Sequence, residues 1–72
     1  MLYIEYIASM NEVEFNAFKK KMGTLFGEET ILGKKVWEIT VHSAPYIPIF
    51  FIIYGVKFHR QEDIIMFKMV FG

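Results

Sequence analysis

The sequence predicts an α+β fold. It reads as a single β-α-β-β-β domain over residues 1–72, with a four-stranded, mainly antiparallel sheet and one amphipathic helix on one face. Three observations carry this. A helix-period apolar stripe lies between a capping box and Gly27. Period-two alternation flanks it on both sides. The run Ile47–Phe58 is apolar on both faces, as a strand covered from two sides would be.

The first strand spans Met1–Ala8. Leu2, Ile4, Tyr6 and Ala8 share one face, and Tyr3, Glu5 and Ile7 the other. The first face is the cleaner and is expected to pack on the helix. Two capping boxes compete to start that helix, Ser9 with Glu12 and Asn11 with Glu14. Glu12 and Glu14 suit its positive end, and Lys19, Lys20 and Lys21 lie toward its negative end. Phe15, Phe18, Met22, Leu25 and Phe26 form one stripe, and Gly27 is the expected stop, with Gly23 an earlier alternative.

Glu28–Thr30 is a connector, and Gly33 marks a bulge or turn after Ile31 and Leu32. Lys34–His42 alternates as a second strand, with Trp37, Ile39 and Val41 on one face. Ser43–Pro48 holds two prolines and reads as a loop. Ile49–Phe58 is the third strand, His59–Asp63 a polar hairpin tip, and Ile64–Phe71 the fourth strand. The last three strands then form an antiparallel meander. The helix returns the chain, so the second strand runs parallel to the first. The first strand lies beside the second or the fourth, and the third is internal.

Composition bounds the function. A 72-residue chain is one domain and buries only about 60% of its unfolded surface. It has no cysteine, hence no disulfide and no thiolate zinc site. Hydrophobic residues make up 54% of it, more than one small core absorbs. Eight basic residues balance eight acidic ones. That argues against strong binding to nucleic acid or anionic lipid, and it leaves little charge to oppose self-association. No signal-peptide pattern and no spanning segment are present, which predicts a cytoplasmic protein.

No catalytic, cofactor or metal site is predicted. His42 and Ser43 lack a nucleophile elbow, and neighbours on a strand point to opposite faces. His42 and His59 are the only histidines, have no ligand spacing and end different strands. The reading that remains is a non-enzymatic interaction module, an accessory, inhibitor or regulator, that forms a homodimer through a sheet face or edge. Its interface residues are Phe50, Phe51, Ile52, Ile53, Tyr54, Met66, Phe67 and Met69. His59, Arg60, Glu62 and Asp63 are the candidate contact to a heterologous protein, with Arg60, the only arginine, foremost. The alternative is a nucleic-acid-binding module using Lys19, Lys20, Lys34 and Lys35. Those lysines have no P-loop spacing, and the aromatic residues are interleaved with Ile and Val rather than with basic residues.

Overall fold

The computed structural model describes residues 2–44 and 49–72. In chain order it contains β1 (Leu2–Asn11), α1 (Glu12–Phe26), β2 (Thr30–Ile31), β3 (Lys34–Lys35), β4 (Trp37–Ala44), β5 (Phe50–Phe58) and α2 (Gln61–Phe71). The fold is α+β. β1, β5 and β4 form an antiparallel three-stranded sheet in that order, and β2 with β3 forms a separate two-stranded ribbon. The expected proline loop falls largely on residues 45–48, outside the described residues, as does the start of the apolar run at Ile47 and Pro48.

β1 runs three residues beyond its expected end, so the second of the two capping boxes is the one used. Asn11 Oδ1 accepts the Glu14 backbone N–H at 2.8 Å, and the Asn11 N–H donates to Glu14 Oε1 at 3.1 Å. α1 buries Phe15, Phe18 and Met22, the core of the expected stripe. It ends at Gly27, whose N–H donates to the Gly23 carbonyl.

Two expectations are corrected. The segment Ile64–Phe71 is a helix, not a strand. A strand would place Ile65, Phe67, Met69 and Phe71 on one face. Instead Ile64 and Phe67 are buried, Phe71 packs on the core, and Ile65 and Met69 are exposed. That is helical spacing. An apolar run this short fits either period, and Gln, Glu, Met and Lys tip it toward helix. The expected hairpin tip is therefore the start of α2, with Glu62 and Asp63 in its first turn and Lys68 in its last.

The second correction concerns lanes. β1 and β4 are each antiparallel to β5, so they run parallel to one another, as the returning helix requires. They are not neighbours. The crossover through α1 skips one lane, and β5 folds back into it, giving a split β-α-β arrangement. β1 therefore pairs with the apolar strand rather than with β4 or the last segment. The sheet has three strands instead of four, and two helices instead of one.

Both helices lie on the same face of the sheet. The core comprises Phe15, Phe18 and Met22 from α1, Trp37 from β4, Ile53, Val56 and Phe58 from β5, and Ile64 and Phe67 from α2. Tyr6 sits between the helices, stacked on Phe18 at 5.8 Å and edge-on to Phe67 at 5.2 Å. Along β5, Phe51 and Ile53 face the helices, and so do Val56 and Phe58. The change of parity is absorbed where both ladders slip, between Glu5 and Ala8 on β1 and between Thr40 and Val41 on β4. Gly55 falls in this slip. The Tyr3 ring occupies the place of any side chain there, and the Tyr3 hydroxyl donates to the Tyr54 carbonyl at 2.9 Å.

The β2–β3 hairpin closes through Leu32 and Gly33, both at positive φ (52° and 76°). Such a turn favours Asn-Gly. Leucine in this conformation costs roughly 1–2 kcal/mol, and Leu32, 98% exposed, recovers none of it by burial. Leu32→Asn is expected to raise stability by about 1 kcal/mol, a gain of several degrees in Tm for a domain of this size. A thermal melt followed by circular dichroism reads it.

Candidate functional site

No enclosed cavity or cleft occurs among the described residues, and no group of three or more His, Asp or Glu residues is placed to hold a metal. His42 pairs with Ile52 in mid-ladder, while His59 follows Phe58 at the far end of β5. No helix among the described residues is long and apolar enough to cross a membrane. The chemistry this chain presents is that of its surface.

The eight residues expected at an interface divide into three groups. Phe51, Ile53 and Phe67 belong to the chain's own core or pack against it. Phe50, Ile52 and Tyr54 lie on the sheet face that the helices leave uncovered, beside Tyr3 and Ile7 of β1. Met66 and Met69 stand on the outer side of α2, far around the helix from Phe67. The structure therefore separates Phe67 from the two methionines and adds Ile65 and Val70 to them. These two were missed because period-two spacing splits the four residues between two faces.

The uncovered sheet face is mixed. Exposed Tyr3, Ile7, Phe50 and Tyr54 alternate with Glu5, Thr40, His42 and Lys57. Glu38 and Lys57 are direct cross-strand partners, an opposite-charge pairing of the kind that stabilises a solvated face. The outer side of α2 is more uniform. Ile65, Met66, Met69 and Val70 are all exposed, with Glu62 and Lys68 the charged residues beside them. A helix at a protein surface ordinarily turns charged residues outward.

At the start of α2, Asp63 is buried and Arg60 reaches back to it. Arg60 Nη2 donates to Asp63 Oδ1 at 3.1 Å and Nε to Oδ2 at 3.4 Å. This hydrogen bonding, and then the carboxylate's charge, raise the Arg60 pKa above its ordinary value. The contact ties the helix start in place of the side-chain cap that Arg60 does not make. Of the expected partner-binding group, His59, Arg60 and Glu62 remain exposed while Asp63 turns inward.

The four lysines of the nucleic-acid alternative lie on two elements. Lys19 and Lys20 are on α1, with the Lys19 ammonium 4.9 Å from the Phe15 ring centre. Lys34 and Lys35 form β3, and Lys35 pairs with Glu38 at 3.6 Å.

The feature that sequence reasoning did not single out is the outer edge of β1. With the order β1-β5-β4, nothing among the described residues pairs with it. The signal was available: the strand carries one charge, Glu5, and no Lys, Pro or Gly. Comparison of the chain with protein-family models, curated proteins and solved structures finds no match to any of them.

Proposed function

We propose that this chain is a non-enzymatic protein-interaction module that self-associates through its apolar sheet surface or edge. One observation carries the reading. Large apolar side chains stay exposed close together, with Ile65, Met66, Met69 and Val70 on α2 and with Tyr3, Ile7, Phe50 and Tyr54 among polar residues on the uncovered sheet face. Apolar residues scattered over a surface are ordinary, whereas contiguous patches mark contact sites. The balanced charge adds no repulsion between copies. A domain this small also gains proportionately from burial between subunits.

The exposed cluster His59, Arg60 and Glu62, held by the Arg60–Asp63 contact, is the part of the surface suited to a different protein partner in an accessory or regulatory role. Light scattering across micromolar concentrations tests the self-association. The expected result is a species of twice the 8.5 kDa chain mass that dissociates on dilution. A monomer at every concentration up to the millimolar range overturns the reading.

A further inference from the structure

We propose that the assembly site is the outer edge of β1, where β1 of a second copy pairs antiparallel across a two-fold axis. The product is one continuous six-stranded sheet with α2 of each copy over the seam. The inference rests on the self-association proposed above and adds where it happens and by what contact.

The outer edge of β1 is open to pairing. β1 is a ten-residue outer strand. Its free side presents a row of backbone N–H and C=O groups with which another extended segment can pair. Natural edges are blunted by lysine, proline, charge or bulges. β1 has one charge and one ladder slip, between Glu5 and Ala8, and no other such device. The opposite edge, β4, also carries one charge, Glu38, but it is shorter and is flanked by Lys34 and Lys35 on one side and Pro45 on the other.

The core-facing side of β1 is incompletely covered. Ile4, Tyr6, Ala8 and Met10 pack on the core, yet all four remain half-buried because the sheet stops beside them. α2 packs over this side, with Phe67 and Phe71 both against Tyr6. A helix about 10–12 Å wide spans two strands spaced about 4.8 Å apart. α2 thus lies above β1 and β5, next to the open lane. Its exposed residues include the apolar Ile65, Met66, Met69 and Val70, together with Glu62 and Lys68. A strand entering that lane meets a backbone edge on one side, with α2 as the roof over the neighbouring strand.

The sequence of β1 suits a second copy of itself as the occupant. In the register centred on Tyr6, the helix-side pairs across the axis are Leu2 with Met10, Ile4 with Ala8 and Tyr6 with itself, all apolar or aromatic. On the other side Glu5 meets Ile7, so the one charge does not face its own copy. A stable dimer buries about 1,200–2,000 Å² in total, more than one strand pair supplies, so the proposed dimer also draws on the exposed apolar residues of α2.

The test uses the full chain. Amide hydrogen exchange is measured by NMR above and below the dissociation concentration, and masses are measured for two double variants. Ile65→Glu with Met69→Glu charges the α2 roof. Phe50→Lys with Tyr54→Lys charges the uncovered sheet face, on the opposite side of the sheet. The expected result is that alternate amides within Leu2–Asn11 lose about tenfold or more of their protection on dilution. The roof variant should dimerise at least about tenfold more weakly, and the face variant should stay dimeric. A dimer whose β1 amides are indifferent to dilution, or one lost only in the face variant, overturns the edge while leaving self-association standing. A wild-type monomer throughout overturns both. If the roof variant unfolds, the wild-type exchange data decide alone.

Discussion

Phe67→Ala is expected to leave most of the chain unfolded at 25 °C. Phe67 is 2% exposed and is the aromatic centre through which α2 meets the sheet. Its ring lies 5.2 Å from Tyr6 of β1, 5.7 Å from Phe58 of β5 and 4.7 Å from Phe71 one turn on. Truncating a buried phenylalanine costs about 3–5 kcal/mol, as lost transfer energy and as the cavity left behind. A chain of this length has a total stability of about 4–11 kcal/mol, and small domains lie toward the low end. The cost is therefore comparable to the whole margin. Met69→Ala, two residues along the same helix, is expected to change stability by no more than about 0.5 kcal/mol, measured in dilute solution where copies do not associate. The pair of variants also tests the helix itself. On a strand, residues 67 and 69 share a face and the two truncations should resemble each other. Urea unfolding of both proteins, followed by circular dichroism, would show this, and matched midpoints would overturn the helical assignment of Gln61–Phe71.

That assignment marks where the sequence stopped being legible. β1, α1 and β4 each carry a period that only one element satisfies, or a cap that fixes an end, and β5 is marked by its Ile, Phe and Tyr content. Asn11 with Glu14 is such a cap, and its two hydrogen bonds form as the pattern implies. Ile64–Phe71 has no such marker, because apolar residues stand at nearly every position and fit spacings of two and of three to four alike. The polarity of its ends, with acids first and Lys68 late, was the stronger guide. Lane order was hidden for a different reason. The apolar character of Ile49–Phe58 requires a central strand, and β5 is central. Nothing in β1 or β4 alone states which strand lies beside which, since a crossover helix reaches an adjacent lane or skips one equally well.

The candidate surface was half legible for the same physical reasons. Phe50, Ile52 and Tyr54 lie on the uncovered face, as alternation along a strand requires. Phe51 and Ile53 alternate with them and serve the core. The slip near Gly55 makes Val56 and Phe58 join the core too, so no single parity describes the strand. The α2 surface became visible only once the helix was known. Ile65, Met66, Met69 and Val70 then fall on its exposed side together with Glu62, and the helix itself stands above Tyr6 of β1.

Trp37→Ala is expected to destabilise the chain about as much as the Phe67 truncation, by roughly 3–5 kcal/mol, through the opposite side of the fold. Trp37 opens β4 opposite Phe58, which in turn pairs with Leu2, so these three residues form the row that closes one end of the sheet. The indole is 4% exposed and its Nε1–H donates to the Gly27 carbonyl at 2.9 Å. It thereby ties the end of α1 to the first residue of the returning strand, across the hairpin that separates them. Volume and hydrogen bond are separable here. Trp37→Phe keeps most of the apolar bulk and removes the donor, leaving the Gly27 carbonyl to find water. That single loss should cost about 1 kcal/mol, with the remainder appearing only in the alanine variant. Because Trp37 is the only tryptophan, its emission reports unfolding in the wild type and is absent from both variants, which are compared by circular dichroism instead. A phenylalanine variant as unstable as the alanine one would mean that the hydrogen bond, not the packing, holds the junction of α1, the hairpin and the sheet.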